Sequence, residues 1–144
     1  MNTLEKSLQI ALKAYTGQRD KAGKTYILHP LRIMAKMATE EEMAVALLHD
    51  VIEDSDISAE DLLKEGIPQN IVDAVVLLTK TRSENYKNFI KKLSTNKLAS
   101  KVKKADIEDN INVLRLDSLG DSDLERVKKY HRAWKVLDAG DKLT

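Results

Sequence analysis

Apolar residues recur every three or four positions along most of this chain. Leu4, Leu8, Ala11, Leu12 and Tyr15 form one such stripe, the spacing of a helix face turned towards a core. No segment sustains the apolar–polar alternation of a strand, and no internal repeat or low-complexity linker interrupts the pattern. The periodicity predicts an all-α fold with helices near 2–15, 30–38, 40–53, 58–65, 68–79, 83–94, 96–116 and 122–138. Gly17 and Gly23 bracket "GQRDKAG", Gly66 precedes Ile67-Pro68, Gly120 sits in "LGDSD" and Gly140 lies near the end. None is expected within a clearly periodic segment. Pro30 and Pro68 stand where a helix would begin, at the first helical position. Ser58 with Asp61 reads as an N-cap with an acidic partner, and Ser122 precedes the last helical run.

Composition narrows the class. The 144 residues predict one domain, 1–144, burying roughly 68–70% of its extended-chain surface. There is no cysteine, which excludes disulfides and thiolate zinc sites. No stretch approaches the ~18 apolar residues of a membrane span, and the N-terminus lacks a signal-peptide run. A cytoplasmic protein with no membrane partner is expected. The 24 basic and 23 acidic residues nearly cancel, so net charge gives no argument for nucleic acid. The short run "KVKK", Lys101 to Lys104, reads as a solvated helix face.

Candidate chemistry concentrates in "AVALLHDVIED", Ala44 to Asp54. On a continuous helix Glu53 lies about 40° from His49, Asp50 about 100° and Asp54 about 140°. One sector then carries all four, with Leu48, Val51 and Ile52 opposite. The apolar "AVALL" before them indicates burial on most sides, so the polar sector is expected to face an internal pocket. Three clustered carboxylates there would repel one another and resist desolvation; a bound cation removes the objection. The plainer reading is a satisfied core histidine followed by a solvated loop. Asp54, Asp56, Ser58 and Glu65 mimic a calcium loop, but Ala59 stands where the sharp turn needs glycine, so a turn and a capped helix explain them better. Of the other histidines, His29 at the helix entrance in "TYILHPLRI" is the better candidate ligand, and His131 in "KKYHRAW" reads as a surface residue. In "VKKADIEDNINVL", Asp106, Asp109, Asn110 and Val113 share a face with Val102; Asp106 and Asn110 could flank one site.

These segments together resemble a known family. A first His, then His-Asp, then a distant Asp is the pattern of the HD-domain metal-dependent phosphohydrolases. "GQRDKAGKTYILHPLRI", "ALLHDVIEDSDIS", "LTK" and "KKADIEDN", in that order over roughly residues 5 to 117, are similar to the stand-alone alarmone hydrolases, relatives of the hydrolase half of RelA/SpoT enzymes. The resemblance implies a compact helical bundle and a divalent metal, usually manganese, on His29, His49, Asp50 and Asp106. It implies that Glu53 and Asp54 orient the attacking water and handle protons. The implied reaction removes pyrophosphate from the ribose 3′ position of ppGpp or pppGpp, a small-molecule nucleotide. Arg19, Lys21, Lys24 and Lys103 are candidate phosphate contacts, equally readable as solvated charges, and Asn110 would position the ribose. The sequence departs from the family at Asp20, where an Arg is usual, in Ile107-Glu108-Asp109 after the fourth ligand, and at Val113, where a Thr is usual. Asp20 would repel phosphate where Arg attracts it. The chain ends at Thr144 with no synthetase half following, so the resemblance implies a hydrolase only. Two other readings remain beside it: an HD phosphohydrolase for another nucleotide, and a non-catalytic helical metal- or nucleotide-binding module. The oligomeric state is not legible.

Overall fold

The structure is a computed structural model describing residues 1–142, and among them there is no strand. The elements are α1 (Thr3–Tyr15), α2 (Leu28–Ala35), α3 (Glu40–Leu48), α4 (Val51–Asp54), α5 (Ala59–Lys64), α6 (Gln69–Leu78), α7 (Tyr86–Leu93), α8 (Lys97–Asn110), a 3₁₀ turn at Val113–Arg115, and α9 (Asp121–Lys142). The all-α expectation is met. None of the helices is long and apolar enough to cross a membrane.

The bundle is organised around α3. Ala44, Val45, Ala46, Leu47 and Leu48 are all fully buried, as a helix apolar all round must be. α1, α2, α6 and α8 pack around it. Each of its leucines is worth about 2–5 kcal/mol against alanine in such a setting. The start of α3 is fixed by a reciprocal cap: Thr39 Oγ1 accepts from Glu42 N, and the Glu42 carboxylate accepts from Thr39 N and Ala38 N. Lys101 Nζ of α8 lies 2.5 Å from Glu42 Oε2, so the same carboxylate ties two helices together. In α1, Ala11 and Tyr15 are buried while Leu12 is 50% exposed; the stripe is narrower than its sequence suggests. Ser58 and Asp61 form the expected capping box on α5.

Three boundaries differ in ways that matter. α2 begins two residues before Pro30, which is tolerated because residues of the first turn need no intrahelical N–H bond; His29 therefore sits within that turn. The helix expected over 40–53 breaks at His49-Asp50, where Asp50 has φ −109° and ψ 3°, values of the sparsely occupied bridge region. The helix expected over 96–116 stops at Asn110. α9 runs on to Lys142 and contains Gly140, contrary to the expectation that every glycine lies outside the helices.

Candidate active site

His29 comes from the first turn of α2, His49 and Asp50 from the break between α3 and α4, and Asp106 from the last part of α8. On one continuous helix adjacent side chains diverge by about 100°; the break is what lets His49 and Asp50 converge. His29, His49 and Asp50 each bring a ligand atom into a group in which all lie within 4.8 Å of one another. Asp106 Oδ1 is 2.9 Å from His29 Nε2 and 3.5 Å from His49 Nε2, and Asp50 Oδ2 is 3.0 Å from His49 Nε2. The contact between His29 and Asp106 spans 77 residues of sequence.

Both imidazoles are held from behind. His49 Nδ1 lies 2.7 Å from the Ala46 carbonyl oxygen, an atom that only accepts, so Nδ1 carries a proton. His29 Nδ1 lies 2.6 Å from Asp109 Oδ2, which fixes its proton in the same way. In the neutral form each Nε2 then presents a lone pair to carboxylate oxygens that also present lone pairs. His49 Nε2 is buried and makes no hydrogen bond, although Asp50 Oδ2 lies 3.0 Å from it. Acceptors converging on one point require positive charge there. Protons on the imidazoles meet that need in part: burial alone would lower both histidine pKa values, yet Asp106 with Asp109 raises that of His29, and Asp50 with Asp106 raises that of His49 well above its usual value. A divalent cation meets it fully, and two nitrogens with two carboxylates are a donor set that first-row divalent ions accept. The residues fit such an ion.

A second layer of groups supports this cluster. Tyr26 donates its hydroxyl to Asp50 Oδ2 at 2.5 Å. Asp109 accepts from Arg32 through Nε at 2.7 Å and Nη2 at 2.9 Å while holding His29. Burial would raise the Asp109 pKa, but His29 and Arg32 hold it far below the usual carboxylate range. Lys103 Nζ lies 2.8 Å from Asp106 Oδ2 and stays cationic despite burial, because Asp106 beside it raises its pKa. Asp106 and Asp109 sit near the C-terminus of α8, where the helix dipole disfavours negative charge by about 0.3–1 kcal/mol; Lys103, Arg32 and His29 offset that. Tyr26, Arg32 and the role of Asp109 were not read from the sequence. The only signal was spacing: Tyr26 precedes His29 by three residues, and Asp109 follows Asp106 by three.

Two cavities open on the cluster and meet at Asp50 and Lys103. The larger, about 320 Å³, includes Tyr26, Tyr130, Asn110, Arg115, Arg126 and Leu116 in its walls. The smaller, about 250 Å³, is bounded by Glu53, Lys80, Tyr86, Phe89 and Lys129 together with His49. Glu53 is exposed at the edge of the smaller cavity, and Asp54 is exposed and lines neither cavity, so the expectation that all four polar residues of the stretch face inwards is corrected by the helix break. Burial, Asp50 and Asp54 nonetheless raise the Glu53 pKa, and burial and Asp50 raise that of Asp54.

The substrate-side candidates divide. Arg19 and Lys21 line the larger cavity, as does Asn110, whose Nδ2 donates to Asp106 Oδ1 at 3.0 Å. Lys103 lines both cavities, with its charge already committed to Asp106. Lys24 is exposed and lines neither cavity; its backbone N–H bonds Asp20 Oδ1. The loop from Gly17 to Tyr26 is a tight fold-back, with Arg19 bridged to Thr25 and Gly23 at φ +78°, a conformation that favours glycine. Asp20 closes it: Oδ1 accepts from Ala22 N and Lys24 N, and Oδ2 lies 3.4 Å from Arg115 Nη1. Asp20 is therefore not a free negative charge opposed to phosphate. Ile107 is core, 1% exposed, and Val113 lines neither cavity, so neither alters the pocket wall directly. Arg115 and Arg126 were missed because nothing in their local sequence distinguishes them from surface arginines. His131 is exposed, as expected.

No family model matches the chain. Curated relatives do. The chain is 32% identical over 128 residues to a guanosine-3′,5′-bis(diphosphate) 3′-pyrophosphohydrolase of Vibrio cholerae, covering 79% of this chain and 18% of the relative. It is 35% identical over 98 residues to a protein of the same name from Borreliella burgdorferi, covering 61% and 15%. A GTP pyrophosphokinase of Streptomyces coelicolor aligns over 96% of this chain and 17% of its own length at 27% identity. The chain thus spans under a fifth of the length of these relatives. Among solved structures, one described as a metazoan ortholog of SpoT that hydrolyzes ppGpp superimposes with a TM-score of 0.74 at 25% identity, covering 97% of this chain and 85% of the other.

Proposed function

On a chain that belongs with the HD-type hydrolases and is homologous to guanosine-3′,5′-bis(diphosphate) 3′-pyrophosphohydrolases, we propose that this pocket removes the 3′-pyrophosphate of a guanosine alarmone, with ppGpp its substrate and GDP and pyrophosphate its products. The observation that carries the reading is the pair of buried imidazoles whose Nε2 atoms converge with Asp50 and Asp106 oxygens while their Nδ1 atoms are pinned from behind. His29, His49, Asp50 and Asp106 would hold a divalent cation, and manganese suits this mixed nitrogen and oxygen set. When bound, such an ion supplies Lewis acidity that brings the pKa of water from about 15.7 to around 7.

The chain's own residues supply the rest. Pinned imidazoles cannot rotate away, so the donor set is organised before any ligand arrives. Glu53 takes the proton of the attacking water; burial, Asp50 and Asp54 raise its pKa, which makes it a stronger base than a free glutamate. Asp54 contributes negative charge that keeps the Glu53 pKa up. Water oxygen bonds to phosphorus as the bond from phosphorus to the ribose 3′ oxygen breaks, and that oxygen takes up a proton. The larger cavity accepts the nucleoside, with Tyr26 and Tyr130 beside it and Asn110 near the ribose. Lys103, Lys80 and Lys129 face the pyrophosphate from the junction and the smaller cavity. A nucleotide substrate of this kind would place the protein in the cytoplasm.

The test is turnover of a nucleotide panel by manganese-loaded protein: ppGpp, its adenine counterpart, 5′-nucleotides and deoxynucleotides. Pyrophosphate released only from 3′-substituted compounds supports the reading. Activity confined to 5′-phosphates moves the chain to another nucleotide, and no turnover of any compound leaves a binding module. Separately, His49→Ala and Asp106→Ala should lose manganese by elemental analysis; full occupancy in both would refute the ligand assignment.

A further inference from the structure

Arg115 is a loosely held guanidinium in the wall of the larger cavity. It arrives from the 3₁₀ turn that follows α8. Its Nη1 is 3.4 Å from Asp20 Oδ2, its Nη2 is 3.5 Å from Asn110 Oδ1, and its buried Nε has no hydrogen-bond partner. All of these contacts are long for charge-assisted bonds, which run about 2.7–2.9 Å. A partly buried, planar, five-donor group held so loosely has capacity for a bidentate anion. The side chain is 22% exposed and belongs to the cavity wall beside Lys21 and Arg126.

We propose that Arg115 is the recognition residue for the 5′-diphosphate of the bound nucleotide, and that Asp20 is its built-in competitor, occupying the guanidinium until phosphate displaces it. The inference rests on the nucleotide reading above. Its assignment to the 5′ end follows from the two cavities. The reacting phosphorus belongs at their junction, where Asp50 and Lys103 lie, and Glu53 and the lysines flank the smaller cavity. The nucleoside and its unreactive phosphates are then left to the larger one, where Arg115 stands one side chain removed from Asp106 through Asn110. Asp20 has two separable jobs. Oδ1 closes the loop by accepting from Ala22 N and Lys24 N, and Oδ2 pairs with Arg115. Asparagine keeps the first, because its amide oxygen accepts both backbone N–H groups. It removes the second, because an amide NH₂ cannot accept from a guanidinium.

The experiment is calorimetric titration of GDP, GMP and guanosine into the manganese-loaded full chain, with circular dichroism melts to verify folding. Arg115→Ala should weaken GDP binding by about 10- to 100-fold, the scale of a lost charge-assisted bidentate contact, and should erase the preference for GDP over guanosine. Arg115→Lys should restore part of it. Asp20→Asn should tighten GDP binding by about fivefold, the size of a partly exposed ion pair. In the Arg115→Ala background that gain should vanish. A gain that persists there means Asp20 acts by simple repulsion and overturns the competitor role. GDP binding by the parent chain that is indifferent to Arg115→Ala overturns the subsite while leaving the proposed function standing. No GDP binding by the parent chain overturns both.

Discussion

Replacing Asp109 with asparagine tests whether the second layer sets the chemistry of the first. Asp109 makes three contacts at once: 2.6 Å to His29 Nδ1, 2.7 Å to Arg32 Nε and 2.9 Å to Arg32 Nη2. The carboxylate meets all three because both oxygens accept. Asparagine keeps the volume but offers one accepting oxygen and one donating NH₂. Turned towards Arg32, it places NH₂ against His29 Nδ1; turned towards His29, it places NH₂ against the guanidinium. Either way the imidazole loses the negative charge that fixes its proton on Nδ1 and enriches Nε2. Losing such an outer partner lowers metal affinity by about 10–100-fold, or about 1.4–2.8 kcal/mol. The assay is manganese binding in competition with a chelator of known affinity, with nitrogen NMR of the His29 ring reporting which atom is protonated. Arg32→Ala keeps the contact between Asp109 and His29, so its effect should be smaller. If Asp109→Asn melts as a cooperative fold and binds manganese as tightly as the parent, the tautomer argument is wrong and Asp109 is only half of an ion pair.

Glu53→Gln should retain metal and lose about 10²–10⁴ in turnover, the usual worth of a positioned acid–base group; a near-native rate in steady-state assays would shift the role to Asp54. Glu42→Ala should cost about 1–3 kcal/mol in urea melts, because it leaves two capped N–H groups and Lys101 without their acceptor. Burial would raise the Glu42 pKa, but Lys101 and the capped N–H groups lower it. Its contribution is therefore complete above the unfolded value of about 4.3 and is lost as pH falls through the depressed folded value. Acid titrations of stability should show that decline in the parent and a shallower one in Glu42→Ala; identical slopes would remove Glu42 from the account.

What could be read from the sequence was what rests on local pattern. The all-α class and the capping box at Ser58 and Asp61 follow from periodicity and side-chain chemistry within a few residues. The convergence of His49 with Asp50 does not. It depends on a helix break that nothing in "LLHDVIED" announces, since neither Gly nor Pro is present, and a continuous wheel assigns Glu53 and Asp54 to the wrong depth. Asp109 was placed on the correct face of α8, yet its bond to His29 is made by packing α2 against α8, 80 residues away in sequence. The pairing of Asp20 was not legible either: Oδ1 accepts from two backbone N–H groups within its own loop, and Oδ2 meets an arginine 95 residues on.

The contact between His29 and Asp106 closes a span of 77 residues. The unfolded chain therefore has no such donor set, and a cation held there binds the folded state alone. For a cation bound as proposed, mass action would then make folding a function of metal supply. Free metal at 100 times its dissociation constant adds about 2.7 kcal/mol to stability, and at 1,000 times about 4.1. For a domain of ordinary marginal stability that is a large share of the whole. Under metal starvation the unfolded fraction would rise, and with it exposure to proteases. If the cluster holds a cation as proposed, the amount of folded protein would follow the supply of that cation.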